Sequence, residues 1–106
     1  MRVTVEMSLY PLERDALDKI LAFIAVVRGD ARLEVVVNQM STQVRGELGV
    51  VLDVLRKAIE QSFGASGSQA LVMKVLNADL PIGDPPVLEP ARTEASRSAR
   101  RRVARR

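Results

Sequence analysis

The sequence predicts a small α+β domain with an antiparallel four-stranded sheet, and three observations carry that prediction. Apolar residues alternate at a spacing of two in four short runs. Two longer runs between them repeat instead at spacings of three and four. These periods separate half-buried strands from amphipathic helices, and turn residues punctuate the changes from one to the other.

The first run covers residues 2 to 9, with Val3, Val5, Met7 and Leu9 on one face and Arg2, Thr4, Glu6 and Ser8 on the other. Tyr10-Pro11 ends it, because proline lacks an N–H and biases the preceding residue towards extended geometry. From Glu13 the spacing becomes helical, through Leu17, Ile20, Leu21, Ile24 and Val27, with Glu13 and Asp15 at the end where a helix dipole favours acids. Arg28-Gly29-Asp30 closes this helix.

Leu33, Val35 and Val37 then alternate, and Met40, Thr42 and Val44 follow in the same way. A two-residue turn at Asn38-Gln39 would pair Val37 with Met40, Val35 with Thr42 and Leu33 with Val44, with all six on one face. A second helix is predicted from Glu47, with a stripe of Leu48, Val51, Leu52, Leu55 and Ile59. It ends in Gly64-Ala65-Ser66-Gly67-Ser68. The last strand points Leu71, Met73 and Val75 inward and Val72 and Lys74 outward, until Pro81-Ile82-Gly83-Asp84-Pro85-Pro86 terminates regular structure. The order strand, helix, strand, strand, helix, strand is that of ferredoxin-like folds, with the first strand between the third and fourth and both helices on one face. The opposite face would carry Thr4, Glu6, Ser8, Glu34, Val36, Ser41, Gln43, Arg45, Val72 and Lys74, open to solvent or to another subunit.

At 106 residues and 47% apolar content the chain holds one core. The domain is placed at residues 1–83, and residues 84–106 are read as a disordered Pro/Arg-rich tail. The net charge of +3 is misleading about the domain, because residues 1–83 carry nine Lys or Arg against ten Asp or Glu and the excess Arg lies in the tail. Contact of that tail with nucleic acid would be charge-driven and salt-sensitive. A solubilising role for the tail is the simpler reading.

Cys and His are both absent, which removes thiol nucleophiles, disulfides, thiolate–metal sites and the commonest general base. Asp15 and Asp18, flanked by Arg14 and Lys19, read as a solvated helix face. The glycines near residue 65 lack the lysine of a phosphate-binding loop. No catalytic residue, metal or cofactor is therefore expected. A core this small, without disulfide or metal, is expected to gain support from self-association. Glu6 interrupts the N-terminus where a signal peptide needs an apolar stretch, and no apolar run reaches ~20 residues, so no membrane span is expected and a cytoplasmic location is.

Two segments stand out: Ser8-Leu9-Tyr10-Pro11, and Asn38-Gln39-Met40-Ser41-Thr42-Gln43. Antiparallel pairing of the first and third strands brings the end of one beside the start of the other. Uncharged hydroxyls and amides gathered there suit the edge of a neutral heterocycle. A hydrogen-bonded turn that only closes the hairpin accounts for the same spacing. On these residues, Glu6-Met7-Ser8-Leu9-Tyr10-Pro11-Leu12 and Asn38 through Gly46, the chain resembles the YkoF-related family of thiamine and hydroxymethylpyrimidine binding domains, over roughly residues 2 to 80. The resemblance implies a ferredoxin-like module that pairs into dimers or tetramers and binds thiamine or its pyrimidine precursor without catalysis. The candidate ligand-binding residues are then Ser8, Tyr10, Ser41, Thr42, Gln43 and Glu6. Tyr10 is the expected stacking surface, Phe23 and Phe63 being assigned to the helices, and Glu6 and Glu34 are the acids available to a thiazolium cation.

Overall fold

A computed structural model describes residues 1–65 and 67–88. Its elements are β1 (Arg2–Pro11), α1 (Ala16–Arg28), β2 (Glu34–Val37), β3 (Thr42–Glu47), α2 (Leu48–Ala65) and β4 (Gln69–Leu76). All strand pairs are antiparallel and the sheet order is β2-β3-β1-β4, the predicted ferredoxin-like α+β arrangement. The tail predicted for residues 84–106 lies outside the described residues from residue 89 onward.

β1 is the spine of the domain. Its odd-numbered side chains Val3, Val5, Met7 and Leu9 are all buried, and with Val44, Phe23, Val27, Val51, Val54, Leu55 and Ala58 they make the core between sheet and helices. Removing this apolar area from water is the main stabilising term for a chain with no covalent cross-link. β1 runs on through Tyr10 and Pro11, two residues past the predicted end, pairing only with β4 there. Beyond Met7 no β3 residue lies opposite, so a proline without an N–H is tolerated more easily.

Further details differ from the sequence reading. α1 begins at Ala16, because Asp15 has a left-handed backbone (φ 63) that a helix cannot include. Its buried residues are Phe23 and Val27, while Leu17 and Leu21 of the expected stripe face outward. In α2, Val54 and Ala58 take the place expected for Leu52, which is exposed. The hairpin pairs Val35 with Val44 and Val37 with Thr42, two residues out of the predicted register. Gln39 and Met40 form its tip. The cause is Asn38, whose Oδ1 accepts the amides of Met40 (3.1 Å) and Ser41 (3.0 Å) while its own N–H donates to the Ser41 carbonyl (3.1 Å). Asparagine fits the first position of such a turn through these local bonds. A slip of two leaves Val35, Val37, Thr42 and Val44 on their predicted face, whereas Met40, expected opposite Val37, sits in the turn and is exposed.

A further difference concerns β4, which stands at the edge of the sheet. Leu71, Met73 and Val75 do point to the helix side, but α1 packs over β1 and β2 and α2 over β3. Met73 and Val75 therefore remain 39% and 48% exposed. On the opposite face the chain after β4 turns back across the sheet as a strap. Thr4 Oγ1 donates to the Ala78 carbonyl (2.7 Å) and accepts the Leu80 amide (3.0 Å), so Thr4, expected on an open face, is buried. Asp79 meets both Arg45 (2.7 Å) and Arg2 (3.1 Å), and Gly83 sits so close to Glu34 that a side chain there would collide with its carboxylate.

Candidate functional site

The predicted convergence of the β1 end and the β3 start is present, since Glu6 pairs with Gln43 and Met7 with Thr42. Ser8 lies next along β1, and its hydroxyl donates to the Met40 carbonyl (3.3 Å), tying the hairpin tip to the strand. Between this tip, the end of β1 and α1 lies a cleft of about 240 Å³. Its apolar wall comes from Met7, Leu9, Ile20, Phe23 and Ile24, and its polar rim from residues 38–42 with Ser8 and Tyr10.

Of the six residues singled out from sequence, Ser8, Tyr10, Ser41 and Thr42 line this cleft. Thr42 is buried on the helix side of the sheet, and Tyr10 is half-exposed at the rim. Glu6 and Gln43 do not line it. They lie on the opposite face and hold Ser41 from behind: Gln43 Nε2 donates to Ser41 Oγ (2.7 Å), which donates to Glu6 Oε2 (3.2 Å). Asn38 Nδ2 in turn donates to Gln43 Oε1 (3.0 Å), so Asn38 belongs both to the turn and to this chain of bonds. Linked polar groups of this kind restrict one another's rotamers and so fix the tip.

The Glu6 carboxylate is held below its usual range, chiefly by a hydrogen bond and charge from Lys74 (2.9 Å), with Ser41 adding a further donor. It is ionised at neutral pH and already has a cation partner. Glu34, the other acid considered for a cationic ligand, faces Arg45 (3.2 Å) beside the strap, away from the cleft.

Sequence reasoning missed the α1 contribution. Phe23 was assigned to the helix stripe, and it does belong to the core at 3% exposure, yet one side of its ring environment is the cleft wall. The signal available was its place one helical turn beyond Ile20, on a helix that must cross the sheet end where β1 and β3 meet. The cleft is thus apolar on one side and lined by neutral donors and acceptors on the other. Among the described residues no cluster of metal-ligating side chains forms, and no helix is long and apolar enough to cross a membrane.

Solved structures share this architecture. A Streptococcus pneumoniae protein aligns with a TM-score of 0.67 at 19% identity, covering 77% of this chain and 91% of its own. A domain of unknown function from Bacillus cereus aligns at 0.64 and 26% identity, covering 74% and 78%. A Thermotoga maritima protein, for which a role in thiamine biosynthesis or salvage has been suggested, aligns at 0.64 and 16% identity, covering 95% and 99%. Comparison with curated proteins gives no significant match. The family model of the YkoF-related family matches residues 2–83, spanning every strand and helix described above, and the chain belongs to that family.

Proposed function

We propose that this protein binds thiamine or its hydroxymethylpyrimidine moiety without catalysis, as a cytoplasmic homo-oligomer. The observation that carries the reading is the cleft at the hairpin tip, where the apolar wall of Ile20, Phe23 and Ile24 faces the hydroxyls and amides of Asn38 to Thr42. A pyrimidine ring entering it would lay one face on that wall and offer its amine and ring nitrogens to the rim. Burial of a flat ring supplies affinity, and the few polar partners fix its orientation. Family membership and the suggested thiamine role of the Thermotoga neighbour support the ligand class. The absence of His and Cys from the whole sequence supports binding over turnover.

Calorimetric titration with thiamine and with hydroxymethylpyrimidine tests the proposal. Heat with one-to-one stoichiometry per chain is expected, together with a rise in melting temperature set by mass action. No heat and no thermal shift at millimolar ligand would remove the proposal, and mass-spectrometric detection of a converted ligand would overturn its non-catalytic part.

A further inference from the structure

The cleft has an apolar wall on one side only. A ring laid on Ile20, Phe23 and Ile24 turns its other face to the hairpin tip and to water. Sites for small molecules usually enclose most of the ligand's surface, and covering that second face would remove further apolar area from water. The side chain that covers it must start from the rim, be long, and be free to move.

Three large side chains stand at the rim: Tyr10 (53% exposed), Val37 (41%) and Met40 (86%). Tyr10 has the parity of Thr4, Glu6 and Ser8 along β1, and it also lines a groove on the opposite face with Val72 and Lys74. Val37 is short and, being β-branched, stiff about its first torsion. Met40 differs from both. Its backbone is pinned, because its amide donates to Asn38 Oδ1 (3.1 Å) and its carbonyl accepts the Ser8 hydroxyl (3.3 Å). Its side chain, by contrast, is bare. An unbranched, polarizable thioether with three rotatable bonds adapts its shape to what it covers and packs favourably against aromatic rings.

We infer that Met40 closes over a ring bound in the cleft, clasping it against the Phe23 wall, and that its thioether is the site where a peroxide loosens the clasp. This deepens the ligand reading given above and rests on it. Of the chain's four methionines, Met7 is buried, Met73 is partly covered, and Met40 is more exposed than Met1. Exposed thioethers are the ones an oxidant reaches first. Peroxide passes one oxygen to the sulfur: the O–O bond breaks, a sulfur–oxygen bond forms, the sulfur is oxidised, and the other oxygen leaves as water. The sulfoxide is polar and no longer suits the face of a ring. The bonds that hold the tip run to the Met40 backbone, so oxidation alters the clasp and leaves the turn in place.

The test titrates hydroxymethylpyrimidine calorimetrically into the full native chain, Met40→Ala and Met40→Leu, before and after mild treatment with hydrogen peroxide. Peptide mass spectrometry follows oxidation at each methionine with and without the pyrimidine. Met40→Ala should bind about 2- to 10-fold more weakly at an unchanged melting temperature. Met40→Leu, of nearly the same volume, should bind within about twofold of the native chain. Peroxide should weaken binding by the native chain about 2- to 10-fold and leave that of Met40→Leu, which keeps the other methionines, unchanged. Bound pyrimidine should slow oxidation at Met40 but not at Met1 or Met73.

Equal affinity in Met40→Ala, or oxidation of Met40 at the same rate with pyrimidine bound, overturns the clasp while heat from the native chain leaves the cleft reading standing. A peroxide effect that is equal in the native chain and Met40→Leu, or absent from both, overturns the oxidation site. No heat from the native chain at millimolar pyrimidine overturns the cleft reading and the clasp together.

Discussion

Gly46→Ala probes why β3 approaches the start of β2 and α2 so closely. Gly46 pairs with Val3 and faces the helix side, where a Cβ would lie 2.6 Å from Leu33 Cδ2, 3.5 Å from Val51 Cγ2 and 3.6 Å from the Arg32 carbonyl. Only the first contact is too short, falling roughly 0.8 Å inside the 3.4 Å at which ordinary contact begins. Leu33 is buried and cannot swing away without exposing its methyl groups. One excess methyl in a packed core costs about 1–3 kcal/mol. Because Gly46 does not have positive φ, alanine recovers about 0.4–1 kcal/mol by restricting the unfolded chain. The net loss of about 0–2.6 kcal/mol corresponds to about 4–8 °C in melting temperature per kcal/mol for a domain of this size. Thermal and urea melts of Gly46→Ala, Leu33→Ala and the double variant form a cycle, in which removing the opposing methyl should return about 1 kcal/mol as coupling. A raised melting temperature for Gly46→Ala, or strict additivity in the cycle, would refute the steric reasoning.

Thr4→Val keeps side-chain volume but removes both bonds to the strap, at about 0.5–1.5 kcal/mol each. Faster amide exchange at Leu80 and a lower melting temperature are expected, and unchanged exchange would show that Thr4 does not anchor the strap. Phe23→Leu removes the ring from the cleft wall while keeping an apolar side chain in the core. Its calorimetric affinity for hydroxymethylpyrimidine should fall about 2- to 10-fold, from the ~0.5–1.5 kcal/mol an aromatic pair adds; equal affinity would place the ring elsewhere. The Asp30 carboxylate, bound by both Arg32 side-chain nitrogens (2.6 and 3.0 Å) and its amide, is held down to about 2. A depressed acid stabilises the fold fully above its unfolded value and loses that contribution as pH falls towards 2. The melting-temperature gap between the native chain and Asp30→Asn should therefore close between pH 4 and pH 2, and a gap that stays constant would refute the assignment.

What the sequence made legible follows which surfaces are covered. Val3, Val5, Met7 and Leu9 alternate cleanly because β1 lies between two strands with helices over one face only, so period and burial coincide. The hairpin faces were legible and its register was not, since alternation constrains only parity and the choice between registers was made by Asn38 Oδ1. α1 carries apolar residues around more than half its circumference, and spacing cannot rank Leu17 and Leu21 against Phe23. The exposure of Met73 and Val75 depends on where two helices sit over the sheet, which no local pattern in β4 encodes. The strap was illegible for a related reason: its anchor is one hydroxyl, that of Thr4, on a strand 74 residues away in sequence. In the cleft, Ser8, Ser41 and Thr42 were legible through antiparallel geometry, while Phe23 required the third dimension.

Ser41 joins the two faces of the sheet. Ser41 contributes to the rim of the cleft on the helix side, yet its hydroxyl is bonded on the other face by Glu6 and Gln43, and Glu6 is bonded across the sheet to Lys74 of β4. The position of the hairpin tip is therefore set partly from β4, the strand at the open edge. Glu6→Gln tests this link: it leaves the cleft wall intact but weakens the charged contact with Lys74. Amide exchange at Met40 and Ser41 should quicken in Glu6→Gln, because the chain of bonds that holds the tip loses its charged end. Unchanged exchange at both amides would show that Asn38 alone holds the tip.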